Sequence, residues 1–286
     1  KAGNVNAALR RTSGEFIALF DADHVAHPDF LLLTMPYMAA ADVGFVQTPQ
    51  AYVTDGGTFV EIGSADAQDF FYSAVCTGKN RFNSAFHVGT NALFRRAALE
   101  EIGGFYEDTN SEDIWTSVYL HSRGWRSVYL PHIVARGLSP TTVDAHLTQQ
   151  FRWASGAYEI LLWANALGNP RLSPTQRWQY FQPALHFFQG FSNLVYLMLP
   201  PLFLLFGVTP LETTTDRWLV AFVPLYLATQ LTMWLQNGRF LFRPIALSLA
   251  NAPVHAAALF SVLLRRKPKW ESTNQVGSRK GPVERT

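Results

Sequence analysis

Apolar residues are distributed in two ways along this chain. Up to about residue 176 they form short runs broken by charges; beyond it come three long uncharged runs, 178–211, 218–238 and 244–264. In the first part the period switches between strand-like and helix-like. Helices are predicted over 4–11, 28–40, 64–76, 97–102, 112–123 and 144–166, with Phe70, Phe71 and Val75 on the apolar side of the third. Strands are predicted over 15–20, 43–47 and 126–130, and 86–94 reads as a loop feeding another strand. Gly14, Gly103-Gly104 and Gly124 stop helices, and Ser111 is placed to cap one. This alternation predicts an α/β layer with a mostly parallel sheet.

The three long runs change the picture. A span of the hydrocarbon core takes roughly 20 mostly apolar residues, and each run supplies that many. Arg239 and Arg243 precede the third run and Arg265-Arg266-Lys267-Pro268-Lys269 follows it. Lys and Arg concentrate on the cytoplasmic side, so both flanks read as cytoplasmic. The third run also holds Ser248, Asn251, Pro253 and His255, which are costly in lipid. It therefore reads as lying in the interface after two true spans, with three spans as the plain alternative. The mean hydropathy of +0.03 averages over a soluble part and a membrane part.

The 286 residues carry a net charge of +2, which gives no basic field for nucleic acid. The single cysteine, Cys76, excludes an internal disulfide and fits a reducing compartment. The start, Lys1-Ala2-Gly3-Asn4, has neither an initiator Met nor an apolar leader. The chain is expected to be a fragment lacking an N-terminal part, and inactive alone.

Three constellations carry candidate chemistry. Asp21 and Asp23 stand one residue apart at the end of an apolar strand. Ligands of open α/β sheets bind beyond such strand ends, and paired carboxylates there suit a hard divalent cation. A solvated turn would look the same. Asp113 sits in the first turn of a helix, where the dipole favours any acid; a cleft-facing general base is the functional reading. Gln149, Arg152 and Trp153 fall at i, i+3 and i+4 of a helix and share a face. Guanidinium suits a diphosphate and indole suits a sugar ring, while an interfacial helix would carry the same Trp and Arg.

In order and spacing, Lys1-Ala-Gly-Asn-Val-Asn, Asp21-Ala-Asp-His24, Ser111-Glu-Asp113, Gln149-x-x-Arg152-Trp153 and the apolar runs resemble the processive family 2 glycosyltransferases, above all those like the bacterial cellulose synthase catalytic subunit. The resemblance extends from residue 1 to about 277. It implies a partial GT-A domain over 1–143, amphipathic interfacial helices over 144–176, a membrane region over 177–264, and a gating-loop-like segment with a polar tail over 265–286. It implies that Lys1, Asp21 and Arg152 bind the nucleotide sugar and that Asp23 binds Mg²⁺ or Mn²⁺. Asp113 becomes the catalytic base, with Ser111 where the family has Thr. Gln149 and Trp153 frame the acceptor, as do His87, Gly89 and Thr90, which match the family's F-C-G-S stretch. Trp270 and Thr273 match its gating loop, in which Ser272 and Gln275 replace Val and Lys.

The implied activity is inverting polymerisation of a sugar from a UDP-sugar, UDP-glucose first, with export of the polymer. The implied partners are the donor, the growing polysaccharide, the bilayer and an export subunit. The implied setting is the inner (plasma) membrane, with the catalytic domain cytoplasmic. Three other readings stand beside it: transfer of one sugar to a lipid, a non-enzymatic transporter subunit, and a membrane-anchored binding module, the last of which leaves the ordered motifs unexplained.

Overall fold

A computed structural model describes residues 1–266 apart from Asp55, Gly56, Asn110, Pro210, Leu211, Arg239 and Leu241. The gating expectations, Trp270 and Thr273, lie outside the described residues.

Helix α1 (Ala2–Arg11) leads into β1 (Phe16–Leu19), a two-residue β2 (Val25–Ala26) and α2 (Phe30–Thr34). Then come β3 (Val43–Gln47), β4 (Ala51–Val53), α3 (Phe59–Phe70), α4 (Thr77–Asn80), β5 (Ala92–Arg95) and α5 (Arg96–Glu101). Helix α6 (Glu112–Ser122), β6 (Arg126–Tyr129), β7 (Ala135–Leu138) and α7 (Val143–Leu162) close the soluble part. Three long helices follow: α8 (Pro174–Phe206), α9 (Thr215–Asn237) and α10 (Phe242–Leu263).

The main sheet has the order β1-β5-β3-β6, and a smaller one runs β2-β7-β4. The expectation of a mostly parallel sheet is corrected. β5 lies antiparallel to both β1 and β3, and only β3 and β6 are parallel within the main sheet. The reason is the direction of entry: β5 is fed from the loop 84–91, which already stands at the carboxyl ends of β1 and β3. The chain crosses the sheet back toward α5.

Two apolar clusters sandwich this sheet. One gathers Phe45, Phe94, Leu99 and Leu120; the other gathers Phe30, Val43, Val46 and Leu93. The predicted helix 28–40 divides into α2 and a 3₁₀ segment, Met35–Ala39. Pro36 supplies no N–H to the preceding turn, so the α-helix cannot continue through it. The helix predicted from 64 begins at Phe59, because Thr58 and Glu61 form a reciprocal capping box. It continues as a π segment, Phe71–Cys76, into α4. At the end of α4 and just after it, Asn80 and Asn83 accept hydrogen bonds from Tyr129 N (2.8 Å) and Ser127 N (2.9 Å). They cover the exposed edge of β6, which would otherwise template further pairing.

The three long helices are each apolar and long enough to cross a membrane. They differ in setting. α9 is exposed along nearly all of its described length, as is the second half of α8. α10 packs against α7, α8 and α3 and buries Leu247, Asn251, Ala252, His255 and Ala258. Its polar residues meet partners on the soluble side: His146 Nε2 pairs with Asn251 Oδ1 (3.1 Å), and His255 Nε2 with Gln150 Oε1 (3.3 Å). His146 Nδ1 in turn meets Ser64 Oγ of α3 (3.0 Å). These bonds explain why Asn251 and His255 are tolerated in an otherwise apolar helix.

A second junction joins α8 to the soluble part. Pro183 has no N–H, so the Gln179 carbonyl, one turn earlier, lacks its helical donor. Lys79, 2% exposed, fills the gap: Nζ donates to Gln179 O (2.5 Å) and Gln179 Oε1 (3.1 Å). Burial lowers the Lys79 pKa to about 8, the nearby Cys76 opposing the shift. Lys79→Met would orphan that carbonyl and cost about 1–3 kcal/mol. The expected result is a lower unfolding midpoint in detergent. In a Pro183→Ala background, where residue 183 again supplies an N–H, the same change is expected to cost clearly less.

Candidate functional site

The site stands at the carboxyl end of β1, where the backbone leaves the sheet and turns. His24 N bonds back to Asp21 O (3.0 Å), which closes a tight turn and exposes the carboxylates of Asp21 and Asp23. Asp21, Asp23 and His24 each offer a ligand atom, and these atoms lie within 4.8 Å of one another. His24 Nδ1 meets Asp23 Oδ1 at 3.1 Å. Its Nε2 is buried with no hydrogen-bond partner among the described residues. The ring lies against Gly137 of β7, where a Cβ would fall 2.2 Å from a ring carbon. Two carboxylates and an under-satisfied imidazole fit a hard or borderline divalent cation, so the donor set suits Mg²⁺ or Mn²⁺.

Lys1 ties this turn to a second loop. Its Nζ donates both to Asp21 Oδ1 and to the Gly89 carbonyl. Asp21 N donates to Thr90 Oγ1 (2.9 Å). Gly89 has φ +93°, and a Cβ there would meet Asp113 Oδ2 at 3.4 Å. The loop therefore needs a glycine for its backbone and brings a bare peptide against the carboxylate. Beneath it, Gln47 of β3 is fully buried and acts as the loop's hub. Its Oε1 accepts from Val88 N (3.1 Å) and faces His87 Nδ1 (2.8 Å), while Nε2 donates to Thr90 O (2.7 Å).

Asp113 stands half-buried in the first turn of α6. Its Oδ1 accepts from Ile114 N (2.8 Å). Burial raises its pKa to about 7, the neighbouring Glu112 adds to the rise, and Lys1 opposes it. A carboxyl group so held can take a proton at neutral pH and exchange it again, which suits a general base.

The third group comes from α7. Gln149 Nε2 donates to the hydroxyl of Tyr52 on β4 (3.3 Å). Arg152 is partly buried, which lowers its pKa, while Tyr52, Asp21 and Glu112 favour its charge. Guanidinium is therefore held within electrostatic reach of the β1 turn. Trp153, one turn after Gln149, is only partly buried: part of it packs against the cluster of Ala154, Tyr158, Phe187 and Ala258 at the junction of α7, α8 and α10.

The structure thus brings together Lys1, Asp21, Asp23, Gly89 and Asp113, with Gln149 and Arg152 approaching from α7. His87 and Thr90, expected at the acceptor cleft, have side chains 1% and 0% exposed. They lie beneath the cleft, because one packs on Phe94 and the other is used by Asp21 N and Asn91. Burial, with Lys1 adding, holds the His87 pKa well below its usual value, so the ring stays neutral. Ser111 occupies the N-cap position as expected, but its side chain makes no cap hydrogen bond. Its hydroxyl is turned toward Gly156 of α7 instead. Sequence reasoning missed Gln47 and Tyr52. The polar Gln47 within a buried strand was the one signal that pointed to a hub.

Residues 16–255 match the family model described as glycosyl transferase family group 2. Curated relatives include the cellulose synthase catalytic subunit (UDP-forming) of Pseudomonas fluorescens, 34% identical over 84% of this chain and 33% of the relative. The corresponding Komagataeibacter xylinus subunit is 31% identical over 72% of this chain and 28% of the relative. The chain thus spans about a third or less of these relatives. Among solved structures, the mannosyltransferase PcManGT from Pyrobaculum calidifontis, in complex with GDP-Man and Mn²⁺, superposes with a TM-score of 0.60. That likeness covers 93% of this chain and 67% of the other at 20% identity, and it carries the fold.

Gly137→Ala is expected to push the His24 ring out of place. The Mn²⁺ concentration for half-maximal activity of the full-length parent should then rise about tenfold, as when a group that orients a ligand is lost. A metal titration of activity measures this.

Proposed function

The chain belongs to glycosyl transferase family group 2, and on that premise we propose that it is the catalytic core of a membrane-embedded inverting polymerase. It takes sugar from a UDP-sugar, with UDP-glucose first, and adds it to a growing β-glucan. The observation that carries this reading is the position of Asp113: a carboxyl group raised to about 7, against the Gly89 peptide and within the field of Lys1.

In this mechanism Asp113 accepts the proton of the acceptor hydroxyl as that oxygen attacks the anomeric carbon. The leaving group is the nucleoside diphosphate. Lys1 and Arg152 offer it cationic donors; Arg152 does so with a planar fork that matches phosphate oxygens in pairs. Asp21, Asp23 and His24 would hold Mg²⁺ or Mn²⁺, which would supply Lewis-acid stabilisation of the diphosphate charge. Lys1 also restrains Asp21, and the Gln47-centred hub keeps the Gly89 peptide in place. Trp153, at the junction with α8 and α10, offers the acceptor a flat apolar surface. The growing polymer leaves along the helices that follow, past His186, Gln189, Ser192 and Asn193 of α8. The catalytic domain faces the cytoplasm, an export subunit receives the chain, and α10 rests in the interface on the soluble domain.

A single-transfer enzyme acting on a lipid is the second reading. The exposed apolar face of α8, a helix that packs on α7, supports it, since a lipid acceptor would approach α7 along such a face.

The test uses membranes carrying the full-length parent, Mg²⁺ or Mn²⁺, and each of several radiolabelled UDP-sugars. High-molecular-mass product from one sugar is expected, falling about 10²–10⁴-fold in Asp113→Asn. Label confined to the lipid extract would replace the polymerase with the single-transfer enzyme. No incorporation from any donor, with the variant indistinguishable, would overturn both.

A further inference from the structure

α7 carries more than its glutamine, arginine and tryptophan. Gln149, Arg152, Gly156 and Glu159 follow at i, i+3, i+7 and i+10 and form one stripe along the helix. The upper half of the stripe addresses the β1 turn, as described. The lower half addresses the segment just before α6. Glu159 is 4% exposed, and its Oε2 accepts from the Thr109 hydroxyl. The same hydroxyl accepts from Ser111 N (3.1 Å). One turn nearer Arg152, Gly156 faces the Ser111 side chain; a Cβ at 156 would fall 1.6 Å from Ser111 Oγ and 2.6 Å from Ser111 Cβ. Ser111 is thus fixed from two sides, by a hydrogen-bonded relay and by direct packing. Asp113 lies two residues further on.

We propose that Glu159 and Gly156 are positioning residues for Asp113, with Thr109 relaying between Glu159 and the backbone of Ser111. The inference rests on the reading of Asp113 as the base. A buried carboxylate in a helix is costly unless it is used, and here it meets the one hydroxyl that also receives Ser111 N. The consequence is a common reference. The residue that takes the acceptor proton and the guanidinium that meets the leaving group are both set by one rigid helix. Their separation then varies little when the flanking loops move. It also accounts for the residue at 111 being held by α7 rather than capping α6.

The experiment compares full-length variants in membranes, measuring kcat, donor KM and UDP binding. Thr109→Val keeps the shape and removes both hydrogen bonds. It is expected to lower kcat about tenfold or more, while donor KM and the Kd for UDP stay within about twofold, because a misplaced group costs rate rather than ground-state binding. Thr109→Ser keeps the hydroxyl, and Glu159→Gln keeps an acceptor; both should recover to within about threefold of the parent. Gly156→Ala should lose activity like Thr109→Val, and adding Ser111→Gly, which clears the space, should restore part of it.

Equal kcat for Thr109→Val and the parent, while Asp113→Asn is inactive, would overturn the relay alone. Loss of UDP binding in step with kcat would also overturn it, since that marks a general structural role. Full activity of Asp113→Asn would instead remove the base on which the proposal rests.

Discussion

Carboxylates placed close together repel, and the cleft holds three of them: Asp21 and Asp23 at the end of β1, and Asp113 at the start of α6. A nearby like charge disfavours the ionised form, as Glu112 does at Asp113, and cations set among the carboxylates relieve it. Lys1 is the cation that the fold itself supplies. It bridges Asp21 and the Gly89 peptide, and it opposes the upward shift of Asp113. Arg152 adds a second positive charge from α7, favoured by Asp21 and Glu112. The negative charge that remains around Asp23 suits a divalent cation, and it is through such a cation and the two basic side chains that an anionic diphosphate would be held. Each of the other features, the glycine at 89, the Gln47 hub and the His24 ring stacked on Gly137, keeps one of these charges at its place.

The same economy of buried polar groups governs the boundary with the membrane helices. α8 and α10 are apolar enough to span, yet their inner faces carry Gln179, Asn251 and His255. Each of these meets a group of the soluble domain: Lys79 for the carbonyl freed by Pro183, His146 for Asn251, and Gln150 for His255. Helices α7, α8 and α10 are therefore one packed body with the catalytic cleft on one side of it. The cleft and the two apolar helices thus share a frame, and α7 belongs to both.

Much of this was legible in the sequence where pattern and element are long. β3 was read over its observed residues, and α6, α7 and the three apolar helices were read to within a few residues. The short strands β2, β4 and β7 were not, since two to four residues give no period. The antiparallel course of β5 depends on where the loop 84–91 enters, and that is a tertiary fact. In the site, a strand end and a first helical turn do not by themselves single out Asp21, Asp23 and Asp113, since a solvated turn and a dipole-favoured acid look the same; the order of the motifs along the chain singled them out. Tyr52 and Glu159 could not be found the same way. Each reaches the site only through a partner distant in sequence: Gln149 for Tyr52, about 100 residues away, and Thr109 for Glu159, about 50 away. His87 and Thr90 share a motif with Gly89, but the motif does not say which of its members is the visible one.

The measurement closest to the centre of this account is the pH dependence of kcat/KM for the full-length parent at saturating metal. A general base must be deprotonated to act, so activity should rise with pH as Asp113 loses its proton. Burial lifts that event to about 7, a bound divalent cation pulls it back toward lower pH, and the account predicts a single-proton acid limb between pH 5 and about 7. A profile flat between pH 5 and 8 would mean that no such group controls the reaction, and would contradict it.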